Sequence, residues 1–384
     1  MSDSPINPEH VAAALAGVHD PELRRSIRDL GLIRSLHIDG DKVRVSLALT
    51  TEDSPAGDVL IARVRAALEQ VEGIAHIELE LDFLSDEERR DLRIQLHGDP
   101  ASTDGTNPSV AGHTHGRVIP FADPSSKTRC LLIASGKGGV GKSSVTTNLA
   151  IALAQRGKDV AIVDADVWGF SIPKMLGVDE NPTVIDQMMI APEAYGVRVI
   201  SMGFFAEEDQ AVIWRGPMLH KALEQFLTDV YWDAPDFLII DLPPGTGDVS
   251  LSISQFMPRS EMYVVTTPQP AAQRVAQRAA AMGKKVNIQV RGVIENMSWF
   301  TGNDGERYEL FGSGGGQELA DKLEIPLLGQ VPMVPALREG GDIGVPIMIS
   351  DPDGEAATIF RAIAQTIDVE LAPTRRYNAG LKLL

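Results

Sequence analysis

One cysteine, Cys130, serves all 384 residues. No disulfide can form within the chain, and several cysteines of one copy cannot combine into a zinc or iron–sulfur site. Long apolar runs are missing too. None reaches the roughly 18–20 residues that a membrane span needs, so no membrane partner is expected. The opening residues, Met1-Ser-Asp-Ser-Pro-Ile-Asn, hold neither a basic stretch nor an apolar one. A secretory signal is therefore not expected, and a cytoplasmic location is. Positive charge is in deficit: 35 Lys and Arg face 53 Asp and Glu, a net charge of −18. Such a surface repels phosphate backbones, so no nucleic-acid partner is expected. What is present is ordinary globular material. Apolar residues make up 43%, enough for a sizeable core, and the length fits two domains.

The pattern changes twice along the chain. Residues 1–97 alternate between short periodic segments. A helix is expected over Val11–Gly17, a hairpin over Leu36–Ile38 and Val43–Leu49, a helix over Asp58–Val71 and a strand over Ile74–Leu81. These make a small α+β domain. Residues 98–127 are rich in Gly, Pro, Ser, Thr and Asp and read as a flexible linker. His113 and His115 lie in it without acidic or cysteine neighbours, so no metal is expected there. From 128 to 384, apolar runs alternate with helical patterns. Strands are expected at Cys130–Ala134, Val160–Val163, Val197–Met202, Phe237–Ile240, Met262–Thr266, Arg291–Ile294 and Leu327–Val331. Most lack polar alternation, as parallel strands buried on both faces do. Helices are expected at Lys142–Arg156, Met218–Val230 and Ala271–Lys285. The fold class is α/β: a doubly wound, mostly parallel sheet, preceded by the small α+β domain. The tail from Thr366 is weakly patterned.

Gly136-Lys-Gly-Gly-Val-Gly-Lys-Ser143 fits G-x-x-x-x-G-K-[ST] between an expected strand and an expected helix. Glycines let successive backbone N–H groups converge on one phosphate, and the helix N-terminus adds positive potential. Gly136, Lys137, Gly138, Gly139, Val140, Gly141, Lys142, Ser143 and Ser144 are thus the expected nucleotide-binding run. Lys142 would bridge the β- and γ-phosphates of ATP, and the Ser143 hydroxyl would ligate Mg²⁺. Downstream, Phe237-Leu-Ile-Ile-Asp241 is a buried strand ending in an aspartate that would hold the same Mg²⁺. Gly245 follows on a loop able to offer its N–H to the γ-phosphate. Val160-Ala-Ile-Val-Asp164-Ala-Asp166 ends another strand in two carboxylates, where folds of this kind bind ligands.

The second loop lysine, Lys137, is not needed by an ordinary P-loop. It resembles the extra lysine of the deviant Walker A motif in the MinD, ParA and nitrogenase iron-protein class. That resemblance implies a homodimer in which Lys137 crosses to the partner's nucleotide. It also implies that Asp166 orients the attacking water, that Asp164 lies near the metal's water shell, and that Asn296 and Pro332 border the adenine. Lys137, Lys142 and Asp166 would be catalytic. Ser143, Asp164 and Asp241 would serve the metal.

Further segments narrow the resemblance. They are Asp164-Ala-Asp-Val-Trp-Gly-Phe-Ser-Ile-Pro173, Trp214-Arg-Gly-Pro-Met218, Asp241-Leu-Pro-Pro-Gly-Thr-Gly-Asp248 and Glu295-Asn-Met-Ser298. Together they are similar to the Mrp/ApbC family of iron–sulfur cluster carriers. Asp20-Pro-Glu22, Asp29-Leu-Gly-Leu-Ile33 and Leu49-Thr-Thr51 are similar to the small domain often fused to bacterial members. The resemblance implies ATP hydrolysis, partners among iron–sulfur apoproteins or assembly factors, and a cluster as cargo. The chain departs from the pattern at one point. Where many members carry Cys-x-x-Cys, this chain runs Trp299-Phe-Thr-Gly-Asn-Asp-Gly-Glu-Arg-Tyr308. The small domain's frequent cysteine is missing as well, at Glu52-Asp-Ser54-Pro-Ala. Two other readings follow: an ATP-gated scaffold that holds no cluster itself, and a ParA/MinD-like positioning ATPase.

Overall fold

The computed structural model describes residues 6–51, 56–97, 119–167, 169–205, 216–245, 247–371 and 373. The His113 and His115 pair, the Trp214 end of its motif, the Glu52–Pro55 stretch and the last eleven residues lie outside them. The chain divides into two compact units, one of residues 1–106 with 183–190, the other of 107–182 with 191–384.

In the first unit, helix Pro8–Ala16 starts where the Asn7 side chain accepts from the Glu9 N–H at 2.9 Å. Strands Ile33–Asp39 and Lys42–Leu49 pair antiparallel through a tight turn. Helix Ala56–Glu69 then leads to strand His76–Phe83, which pairs parallel with Lys42–Leu49. Val11, Leu15, Val43, Val45, Leu47, Leu60, Val64 and Leu68 fill the core. Each expected element is present with its ends within three residues. One further helix, Asp86–His97, is added. Ser85 and Glu88 open it as a reciprocal cap: the Ser85 N–H donates to Glu88 Oε2 at 2.8 Å, and the Glu88 N–H to Ser85 Oγ at 3.4 Å. A short hairpin, Thr183–Ile185 with Met188–Ile190, also belongs to this unit. Its turn residues Asp186 and Gln187 both have positive φ, as a two-residue hairpin turn requires. Asp186 pairs with Arg93 at 2.7 Å, and the Thr183 hydroxyl donates to Glu22 at 2.7 Å.

The second unit is built on eight strands. In spatial order they are Leu327–Val331, Gln289–Asn296, Glu261–Thr266, Arg129–Ser135, Phe237–Asp241, Val160–Asp164, Val197–Ser201 and Glu193–Ala194. All neighbours run parallel except the last pair. The sheet is the doubly wound one that the apolar runs imply. Arg129–Ser135 is the first strand of this sheet in sequence yet lies near its centre, so the chain departs to both sides of it, and ligands bind at such a reversal. Helix Lys142–Ala154 leaves that strand through the glycine loop. It is buried on nearly every face: the sheet lies under it, and helix Glu355–Gln365, with buried Phe360, packs against its side and on strand Leu327–Val331.

Packed structure begins inside the stretch read as linker. Ile119 and Phe121 are buried, and Phe121 meets Trp232 edge-on. It also continues past Thr366, where Thr366–Glu370 forms one π-helical turn with Ile367 buried. Arg129 and Arg291 each donate to the Leu371 carbonyl at 2.8 Å. Arg129 also pairs with Glu261 at 2.7 Å, closing the sheet's far end opposite the glycine loop.

Candidate functional site

Strand register sets the site. Asp241 lies directly beside Asp164 across neighbouring parallel strands, and beside Ile133 on the other side. Two carboxylates therefore stand at the sheet's C-terminal edge, next to the strand that feeds the glycine loop. Both are fully buried. Burial raises the Asp164 carboxyl well above the usual carboxylate range, and the neighbouring Asp241 charge raises it further. Lys142, the Ile172 N–H and the Ser201 hydroxyl oppose that rise.

Lys142 reaches Asp241 from the loop, its Nζ 2.5 Å from Oδ2. The Ser143 hydroxyl donates to the same oxygen at 2.6 Å. Thr146 donates to the other, Oδ1, at 2.7 Å. Asp241 is thus held by three side chains from one helical turn. Asp166 lies a step further out, 3.8 Å from Lys142 Nζ, and accepts from the Gly169 N–H at 3.1 Å. Asp164 accepts from the N–H groups of Asp166, Ser171 and Ile172 and from the Ser201 hydroxyl. It thereby fixes the path of the loop that carries Asp166.

Two glycines are required by space. A Cβ on Gly136 would lie 2.2 Å from the Val275 backbone of the neighbouring helix. Gly141 has φ +76°, and a Cβ there would lie 2.2 Å from Asn296 Nδ2. Asn296 is brought to the loop in this way. Its Nδ2 donates to the Val140 carbonyl at 2.9 Å, while its buried Oδ1 has no partner. An acceptor left over beside a nucleotide loop suits a base with a free amino group. Pro332 is buried just past Val331, which pairs with Asn296. Gly245, at φ +80°, donates its N–H to the Ser135 carbonyl at 3.4 Å. Lys137 alone turns aside: its Nζ donates to Gln269 Oε1 at 2.9 Å.

The structure therefore gathers Lys142, Ser143, Asp164, Asp166 and Asp241 and sets Asn296 against the loop. Two contributors were missed in the sequence. Thr146 lies one turn beyond Lys142 on the same helix face, so spacing alone could have found it. Ser201 ends a neighbouring strand in register with Asp164, and only the strand order reveals that.

Ser143 and Asp241 offer hard oxygen donors 2.6 Å apart, which suits Mg²⁺ held by one or two protein groups and by phosphates. Among the described residues, the site offers no soft thiolate of the kind that holds an iron–sulfur cluster. Among the described residues no group of three or more His, Cys, Asp and Glu is arranged to hold a metal ion. Cys130 is buried at the far end of its strand, and burial pushes its thiol up to about 12. In the segment without cysteines, Phe300–Thr301 and Arg307–Tyr308 pair as a hairpin. The Arg307 guanidinium stacks 4.3 Å over Trp299 and pairs with Glu355.

A glycine loop between a central parallel strand and a buried helix, facing aspartates on adjacent strand ends, defines a P-loop NTPase. The model of the NUBPL iron-transfer P-loop NTPase family matches residues 126–368, and that of the iron–sulfur cluster assembly protein family matches residues 8–80. The chain belongs to the iron-transfer P-loop NTPase family. It is 44% identical over 380 residues to the iron–sulfur cluster carrier protein of Mycobacterium tuberculosis, covering 97% of this chain and 95% of the relative. Against the protein of the same name from Synechocystis it is 36% identical over 373 residues, covering 94% and 97%. A solved nucleotide-binding protein from Archaeoglobus fulgidus, in complex with ADP, superposes with a TM-score of 0.52 at 33% identity. It covers 60% of this chain and 91% of its own. Among the described residues, no helix is long and apolar enough to cross a membrane.

Thr146→Val keeps the helix and its packing but removes one of the three groups holding Asp241. We expect ATP affinity in the presence of Mg²⁺ to fall about tenfold, with affinity in EDTA little changed. Titration calorimetry with and without Mg²⁺ checks this. Equal loss in both would place Thr146 outside the metal's support.

Proposed function

We propose that the protein binds and hydrolyses ATP as a cytoplasmic homodimer and couples that cycle to iron–sulfur cluster transfer. Residues 1–97 would form the domain that meets an apoprotein or assembly factor. Residues 98–127, packed from Ile119 onward, would connect it to the ATPase of 128–384. The observation that carries the reading is the convergence of Lys142, Ser143 and Asp241 within hydrogen-bonding distance at the glycine loop.

Lys142 has two claims on its charge. It pairs with Asp241, and the loop aims it at any phosphate seated on the N–H groups of 138–143. When phosphates take the ammonium, Asp241 is released to accept elsewhere. Ser143 and Asp241, with Asp164 behind, would hold a Mg²⁺ ion, which would supply neutralisation of phosphate charge. Asp166, on the loop beyond Asp164, would orient water in line with the γ-phosphate. Gly245 would give up its long bond to Ser135 and offer its N–H to that phosphate, and Asn296 Oδ1 would accept from the adenine amino group. Lys137 of a second copy would neutralise charge that develops in the transition state.

Cluster handling must differ from a four-thiolate bridge. The chain holds one thiol, buried and poorly ionised. A second reading is favoured by that observation: an ATP-gated scaffold, with the cluster's thiolates supplied by the partner protein.

Asp166→Ala should leave ATP affinity within about twofold of wild type and slow hydrolysis about 100-fold. A normal rate would remove the water-orienting role. For the cargo, anaerobic reconstitution with iron and sulfide should leave well under one cluster per dimer after desalting, read by absorbance and iron content. A stoichiometric cluster that survives desalting would contradict the scaffold reading and bring non-cysteine ligands, or Cys130 from both copies, into play.

A further inference from the structure

Lys137 sits within the phosphate loop, yet its ammonium is held by a residue 132 positions away. Gln269 Oε1 accepts from Nζ at 2.9 Å. The Thr267 hydroxyl donates to the same oxygen at 3.3 Å, which fixes the amide with its oxygen towards the lysine. Gln269 immediately precedes helix Pro270–Lys285. That helix is locked to the loop, since Gly136 packs against the backbone of Val275 and Ala276 with no room for a side chain. The Ser135 hydroxyl donates to the Lys137 carbonyl at 3.1 Å, fixing the backbone from which the side chain departs. Loop and holder therefore move as one piece. Among the described residues Lys137 meets no carboxylate within ion-pairing distance.

We infer that Gln269 is the positioning residue for Lys137: its side-chain oxygen holds the ammonium off the chain's own phosphate site and yields it to a second copy. This deepens the proposed dimeric reading and rests on it. The chemistry of the holder matters. A carboxylate at 269 would hold it by a full ion pair and release it poorly. A neutral amide gives one charge–dipole contact, strong enough to direct the chain and weak enough to lose to a nucleotide's phosphates. The same ammonium cannot bond both, so parking and pairing compete.

Two measurements on the full-length protein test this. First, the acylation rate of Lys137 by a small amine reagent is read by peptide mass spectrometry without nucleotide. It should fall at least about fivefold in Gln269→Glu and rise in Gln269→Ala. Second, ATPase activity is followed against protein concentration. Gln269→Glu should raise the half-maximal protomer concentration at least about fivefold, with ATP affinity unchanged, and Gln269→Ala should lower it. Asn at 269, too short to reach, should behave as Ala and not as Gln. Labelling rates that match wild type in both variants would overturn the contact. Changed labelling with an unmoved half-maximal concentration would overturn the positioning role. If Lys137→Ala itself hydrolyses at the wild-type rate, the dimeric reading fails instead, whatever Gln269 does.

Discussion

A buried ammonium faces a buried carboxylate at the centre of the second unit, Lys142 against Asp241. Removing either partner of such a buried pair costs about 3–5 kcal/mol. The pair joins the first turn of the loop helix to the end of a central strand, and the hydroxyls of Ser143 and Thr146 reinforce it from the same turn. It thus preserves the loop's shape as a phosphate cradle. It also keeps both charges on hand for a ligand that brings its own negative charge and its own cation.

The second aspartate follows from the first. Parallel register places Asp164 at Asp241's side, and two carboxylates so close resist ionising together. Asp164 is therefore used as an acceptor that gathers N–H groups, and the loop bearing Asp166 is shaped around it. Buried polar side chains cluster at this edge of the sheet, while the opposite edge is closed by Arg129, Arg291 and Glu261. One end of the sheet is structural and the other is free for chemistry.

Much of this was legible in the sequence, for identifiable reasons. Strands buried on both faces read as unbroken apolar runs, and the glycine loop has a spacing few other structures need. The Asp86–His97 helix was missed because only Leu92 on it is buried, which leaves no apolar period; its signal lay in the Ser85 and Glu88 cap. The Thr183–Ile190 hairpin was missed because three-residue strands are too short to show alternation. Ser201 beside Asp164, and Gln269 beneath Lys137, join positions far apart in the chain, so no local pattern could reveal them. Thr146 is different: its place on the Lys142 face was readable and was overlooked.

Family membership assigns the loop its class, and the missing cysteines set this chain apart from a carrier that grips its cargo with its own thiolates. In the proposed dimer the site is completed by two copies, with Lys142 from one and Lys137 from the other on the same nucleotide. The most direct test mixes two inactive proteins, Lys137→Ala and Lys142→Ala. In a mixed dimer, the intact Lys142 of the first chain is matched by the intact Lys137 of the second. Random pairing of equal amounts should restore about one quarter of wild-type ATPase activity. Mixed dimers that form and stay inactive would contradict the crossing lysine.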